Sequence, residues 1–247
     1  MRRVALVTGG AKGIGAAIVK ELAKADHDIV LNYNTSKEKA LALAKECSEN
    51  YGVKVLPIRC DISKEEDLDA MFELIEDEFG GVDIIINNAA VDYSNLWHEK
   101  TNEQFRKTLD VNLIAVFNIC KKGTSYMMDR GWGRIVNIAS TNGMNTYFPM
   151  CLEYDASKAA LISLTHNLAW NYSPYITVNA VAPGFIGTES ELEGYDKEFL
   201  EQEEEKIMLK RYGDPEEVAK VVRFLVSDDA SYINNTVIRV DGGQYGA

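Results

Sequence analysis

A doubly wound parallel α/β sheet of about seven strands, with helices on both faces, is the fold the sequence predicts. Three observations carry that expectation. Short runs rich in Val and Ile alternate with longer amphipathic stretches from one end of the 247 residues to the other. The apolar runs are nearly continuous, as strands buried on both faces are. A glycine-rich turn joins the first run to the first amphipathic stretch. Strand, helix, strand repeated in this way implies parallel strands with helical crossovers packed on both sides.

The elements follow in order. VALVT (4–8) leads into GAAIVKELAKA (15–25), and DIVLNY (28–33) leads into SKEKALALAKECSENY (36–51). VKVLPI (53–58) precedes KEEDLDAMFELIEDEFG (64–80), and VDIIINN (82–88) precedes one long helical stretch over 102–129. RIVNIA (134–139) precedes YDASKAALISLTHNLAW (154–170), ITVNAVA (176–182) precedes DPEEVAKVVRFLVS (214–227), and TVIRV (236–240) closes the series. No composition break or linker interrupts it, so residues 1–247 are expected to form one domain. Ligands of such sheets bind beyond the carboxyl ends of the strands, where strand order reverses. The segments that follow each strand are therefore where the chemistry is sought.

Charge excludes several partners. Against 26 basic residues stand 38 acidic ones, a net charge of −12, which repels nucleic acid and anionic membrane surfaces. No apolar run is long enough to span a bilayer, and the opening MRRVALVTGG is too short in its apolar part for a signal core. A soluble, cytoplasmic protein is expected. Cys47, Cys60, Cys120 and Cys151 lack metal-ligand spacing, and His27, His98 and His166 are dispersed, so no metal site is expected and the thiols read as small buried groups.

After the first strand comes TGGAKGIG, with Gly9, Gly13 and Gly15 placed to permit a tight turn and a close approach of backbone N–H groups to a pyrophosphate. Further along stand Asn88 and Ala89 in NNAA, Asn112 within a helix, Ser140 ending NIAS, Tyr154 and Lys158 in YDASK, and Pro183, Gly184 and Thr188. In that order these motifs resemble the short-chain dehydrogenase/reductase family from the first strand to the VDGG near the end, and they imply a single-domain Rossmann-like fold. The resemblance implies hydride transfer between a nicotinamide and a carbonyl or secondary alcohol, with Asn112, Ser140, Tyr154 and Lys158 as the catalytic set. It assigns cofactor binding to Gly9, Lys12, Gly13, Ile14, Gly15, Asn34, Asp61, Ile62, Asn88, Ala89, Ala90, Pro183, Gly184 and Thr188, together with Tyr154 and Lys158.

Tyr154 and Lys158 are four apart, so on a helix they share a face. A free phenol has a pKa of about 10, and a neighbouring ammonium together with an oxidised nicotinamide ring is expected to lower it toward the working range. Tyr154 is then the general acid in reduction and the base in oxidation. Ser140 would bond the substrate oxygen, with Thr141 as a competitor because TNGMNTYFPMCLE is one residue longer than the usual family spacing. Asn112 would connect Lys158 to a water chain. Ala90 replaces the family's usual glycine and adds a methyl beside the cofactor path. At the end of the second strand, Asn32, Tyr33, Asn34, Thr35 and Ser36 include no carboxylate that would repel a 2′-phosphate, and Lys12 lies in the glycine turn. NADP(H) is favoured, with NAD(H) as the alternative.

Substrate is the least legible feature. Trp97, Met144, Tyr147, Phe148 and Met150 suggest an apolar cavity or packing and subunit contacts, EFLEQEEEK reads as a solvated helix face, and the family resemblance implies a lid over residues 185–210. The absence of Lys and Arg between Lys158 and Lys197 argues against docking of an acidic carrier protein, yet 3-oxoacyl-acyl-carrier-protein reductase stays as the alternative, beside sugar or polyol dehydrogenases. A non-catalytic dinucleotide sensor would not need Asn112, Ser140, Tyr154 and Lys158 together. Family analogy implies a homotetramer with contacts around 101–127 and 153–173.

Overall fold

A computed structural model describes residues 2–144 and 148–244. Its seven strands are β1 (Val4–Val7), β2 (Asp28–Tyr33), β3 (Val55–Arg59), β4 (Ile84–Asn87), β5 (Gly133–Ile138), β6 (Ile176–Pro183) and β7 (Val237–Val240). They form one parallel sheet in the order β3-β2-β1-β4-β5-β6-β7. The order reverses between β1 and β4, so the connections leaving these two strands diverge and open a crevice at their carboxyl ends.

Nine α-helices among the described residues connect the strands: α1 (Gly13–Lys24), α2 (Lys37–Tyr51), α3 (Glu65–Phe79), α4 (Asn102–Leu109), α5 (Ala115–Arg130), α6 (Leu152–Tyr172), α7 (Glu189–Gly194), α8 (Lys197–Glu205) and α9 (Pro215–Val226). Strand periodicity divides the core in two. Ala5, Val7, Ile84 and Ile86 pack with Ile18 and Leu22 of α1, Leu43 of α2 and Val222 of α9 on one face. Val4, Leu6 and Ile85 pack with Met71 and Ile75 of α3, Ile119 of α5 and Leu161 of α6 on the other. Each fully buried Ile or Leu contributes roughly 1.5–3 kcal/mol, so covering both faces of the sheet is the main source of stability.

The expected helix over 102–129 is unbroken but changes its winding midway. A π-helical turn, Asp110–Ile114, separates α4 from α5 and carries Asn112. Such turns add one residue to a helical circuit and are frequent at functional sites. Thr101 caps α4, its Oγ1 accepting from the Gln104 N–H at 3.2 Å, while the Gln104 side chain accepts from the Thr101 N–H at 3.0 Å. All four cysteines are buried thiols, as expected.

Candidate active site

The floor of the crevice is a hydrogen-bonded knot between the ends of β1, β2 and β4. Thr8 Oγ1 accepts from the backbone N–H groups of Asn88 at 2.9 Å and Ala89 at 3.0 Å. Asn88 Nδ2 donates to the carbonyls of Thr8 at 2.9 Å and Gly9 at 3.2 Å. The Gly9 N–H donates to Asn32 Oδ1 at 3.2 Å, and Asn32 Nδ2 donates to the Cys60 carbonyl at 3.1 Å. Gly9 and Gly13 hold φ of +62° and +52°, a region costly for other residues. A Cβ on Gly15 would lie 2.2 Å from the Gly9 carbonyl oxygen. The turn therefore presses backbone on backbone, and α1 opens at Gly13 with no side chain capping its first amides. Unclaimed amides at a helix N-terminus suit the pyrophosphate of a dinucleotide. The residues present fit that group.

The reacting end lies across the crevice. Ser140 follows β5, and its Oγ accepts from the Asn142 N–H at 3.2 Å. Lys158 is 2% exposed, and its Nζ donates to the Ile138 carbonyl at 2.6 Å while standing 5.3 Å from the Tyr154 ring centroid. Burial pushes the Lys158 ammonium down to about 8, with the Asp92 carboxylate opposing the fall. Tyr154 departs from expectation. Burial pushes its phenol above the ordinary value, the Ser140 hydroxyl pulls it back, and the Asp92, Cys151 and Glu191 charges push it up again. The buried ammonium does not outweigh the loss of water around the phenol.

Asn112 makes three direct hydrogen bonds. Its Oδ1 accepts from the Val91 N–H at 2.9 Å, and its Nδ2 donates to the Val91 carbonyl at 2.9 Å and Ser157 Oγ at 3.0 Å. It ties the segment after β4 to α6, and Lys158 is not among these partners.

A cavity of about 620 Å³ joins the two ends. It brings together Ile14, Asn88, Ala90, Ser140, Tyr154 and Lys158, with Pro183, Gly184 and Thr188 on the far side. Thr141 also reaches it but is 1% exposed. Thr188 stands against the glycine turn, its Cγ2 3.3 Å from where a Cβ on Gly13 would be. The remaining assigned positions lie outside this cavity. Lys12 and Asn34 are exposed, and Ile62 is buried in the core. Asp61 accepts from the Ser63 N–H at 3.1 Å and Ser63 Oγ at 2.7 Å, with Lys107 Nζ 3.9 Å away. Of the expected pocket residues, Phe148 lines the cavity, whereas Trp97 is 70% exposed, Met144 and Met150 do not line it, and Tyr147 lies outside the described residues.

Several participants escaped the sequence reading. Arg59, at the end of β3, donates from Nε to the Asn34 carbonyl at 3.3 Å and brings a guanidinium beside the end of β2. Asp92 and Glu191 line the cavity at the Tyr154 end, and burial together with Asp92 pushes Glu191 up. The acidic stretch 198–206 is not wholly a solvated face, because Glu203 is 7% exposed, lines the cavity and meets Lys206 Nζ at 2.5 Å. Only the one-turn spacing of Glu203 from Lys206 hinted at such a local pair.

A sequence profile described as Enoyl-(Acyl carrier protein) reductase matches residues 9–244. The chain is 41% identical over 246 residues to an acetoacetyl-CoA reductase of Rhizobium meliloti (strain 1021), covering 99% of each chain. It is 39% identical over 244 residues to the 3-oxoacyl-[acyl-carrier-protein] reductase FabG of Aquifex aeolicus (strain VF5), covering 98% of this chain and 97% of the relative. The solved structure of L-sorbose reductase from Gluconobacter frateurii, complexed with NADPH and L-sorbose, superposes with a TM-score of 0.92 at 30% identity, covering 100% of this chain and 97% of that one. With the glycine turn, Ser140, Tyr154 and Lys158 in place around one crevice, the chain belongs to the short-chain dehydrogenase/reductase family of NAD(P)-dependent oxidoreductases.

Proposed function

We propose that the protein transfers a hydride between NADP(H) and the carbonyl or secondary-alcohol carbon of a small molecule, with Tyr154 as the proton donor in reduction and acceptor in oxidation. The observation that carries this reading is the convergence of Ser140, Tyr154 and Lys158 on the cavity that also holds Ile14, Asn88 and Thr188. The glycine turn, Asn88, Ala89, Ala90, Pro183, Gly184 and Thr188 hold the cofactor, with Lys12, Asn34, Asp61 and Ile62 at its adenosine side. NADP(H) over NAD(H) is supported by the carboxylate-free end of β2, the exposed Lys12 and the Arg59 guanidinium beside Asn34.

Bound NADPH supplies the hydride. Ser140 Oγ donates a hydrogen bond to the substrate carbonyl oxygen and polarises it. As charge develops there, the Tyr154 O–H bond breaks and its proton passes to that oxygen. The Lys158 ammonium stabilises the phenolate left behind, and the Ile138 carbonyl fixes where that ammonium stands. Asn112 holds the cavity wall to α6 through Val91 and Ser157.

A 3-oxoacyl thioester is the first substrate class, as in the names of the two relatives. Asp92 and Glu191 favour a second, a keto sugar, because carboxylates accept hydrogen bonds from substrate hydroxyls. The whole chain acts as one catalytic domain. Residues 185–210 serve as its lid, supported by Tyr195 and Phe199 packing on Phe148, with centroids 6.4 and 6.1 Å away. A cytoplasmic homotetramer is supported by exposed Phe117 of α5 and Trp170 of α6 on the expected contact helices, and by the absence, among the described residues, of a helix able to cross a membrane. Absorbance assays with acetoacetyl-CoA and L-sorbose, each with NADPH and NADH, test the assignment. Tyr154→Phe should bind NADPH and lose turnover, and a variant that still turns over sinks the proton-transfer role.

A further inference from the structure

Two carboxylates flank Tyr154 in the chain, and each is fastened to a different wall of the cavity. Asp155 accepts from the Phe148 N–H at 2.9 Å and from Asn142 Nδ2 at 2.8 Å, which ties down the segment after β5. Glu153 is fully buried at 0% exposure and meets Lys100, whose side chain is 8% exposed. Lys100 Nζ donates to Glu153 Oε1 at 2.8 Å, stands 2.7 Å from Oε2, and donates also to the Tyr93 carbonyl. The Asn95 N–H adds a bond to the Met150 carbonyl at 3.3 Å. The segment 91–100 is thus pinned against the first turn of α6, one residue from the reacting tyrosine. Asp92 rides on that segment and lines the cavity with Tyr154, Lys158 and Glu191.

Attraction within a buried ion pair is largely offset by desolvation, so Lys100 and Glu153 are weak evidence for stability. What the pair adds is direction. An ammonium shared between a carboxylate on α6 and a carbonyl on the wall closes at one relative position of the two, whereas apolar contact tolerates sliding.

We propose that Lys100 and Glu153 are positioning residues that hold the 91–100 wall, and Asp92 with it, at the reacting end of Tyr154. The inference rests on the carbonyl-reductase reading of the site. Its test is the double variant Lys100→Met/Glu153→Met, made with and without Asp92→Asn, with melting temperature, NADPH affinity by fluorescence, and kcat and KM for the carbonyl substrate as readouts. The double variant should melt no lower than wild type and bind NADPH within about twofold, while kcat/KM for the carbonyl falls about tenfold or more. In the Asp92→Asn background the same change should cost less than about threefold, because the charge that the wall positions is already gone. Glu153→Gln, which keeps an acceptor for Lys100, is the second variant and should show a smaller loss of the same kind. The inference is overturned by an unchanged kcat/KM in a folded variant, by equal losses with and without Asp92→Asn, or by NADPH affinity falling in step. Tyr154→Phe run alongside separates the two ideas: turnover retained there removes the reaction assignment, whereas a silent Tyr154→Phe beside a fully active double variant removes only the clamp.

Discussion

Replacing Lys158 by Met should abolish turnover and yet not destabilise the protein near neutral pH. The ammonium is 2% exposed, and burial brings it from its ordinary 10.5 down to about 8. At about 1.4 kcal/mol per tenfold, that gap is a folding penalty of about 3 kcal/mol while the group is charged in both states. Met fills a similar volume without charge but abandons the 2.6 Å bond to the Ile138 carbonyl, and an orphaned buried carbonyl costs about 1–3 kcal/mol. The balance at pH 7 lies between no change and a gain of about 2 kcal/mol. The sign with pH follows from the lowered value. Between about pH 8 and 10.5 the unfolded lysine binds a proton that the folded one has released, so wild-type stability rises with pH across that window. The penalty should shrink to about 1.4 kcal/mol by about pH 9.5, and the variant should lose about 2 kcal/mol of its relative standing. Urea unfolding of both proteins at the two pH values measures this. A variant more than about 2 kcal/mol less stable at pH 7, or a difference that does not move with pH, would refute the reasoning.

Three further outcomes are expected. For carbonyl reduction, kcat/KM should stay level from about pH 6 to 7.5 and decline above about 8 as Lys158 loses its proton, while the raised Tyr154 phenol keeps its own; a pH profile checks this. Gly15→Ala puts a methyl 2.2 Å from the Gly9 carbonyl oxygen, so the turn must open, costing about 1–3 kcal/mol in a thermal melt and weakening NADPH binding measured by fluorescence. Arg59→Ala should raise the KM for NADPH by about tenfold and change that for NADH by less than about twofold, the pattern expected of a guanidinium beside Asn34 that pairs with a 2′-phosphate.

The strands and the catalytic helix were legible because they rest on local patterns. Ile84, Ile85 and Ile86 announce a doubly covered strand in three letters, and the spacing of Tyr154 and Lys158 announces one helix face. What could not be read depends on distant partners. Asn32 resembles any strand-end amide until Gly9 and Cys60 close on it, and Arg59 resembles a surface charge until its bond to Asn34 is seen. The Tyr154 phenol goes up rather than down because burial is a property of the whole fold, while its proximity to Lys158 is a property of four residues. Glu203 fails the solvated-face expectation for the same reason: its neighbours in the chain are exposed acids, and only tertiary packing turns it inward.

The π-helical turn Asp110–Ile114 has a consequence for how this segment tolerates length changes. One residue on an α-helix is a rotation of about 100°. Because the turn holds one residue more than an α-helical circuit, deleting a single residue there would restore regular winding and leave Ile119, Cys120, Gly123 and Met127 of α5 facing the sheet, whereas a deletion in the first turn of α5 would swing them away and expose the core they cover. A Cβ on Gly123 would already lie 2.4 Å from Ile85, so α5 sits too close to the sheet for a rotated face of larger side chains to replace it. The π turn is therefore the one stretch of this segment where losing a residue keeps the downstream packing in register, at the cost of the turn that carries Asn112.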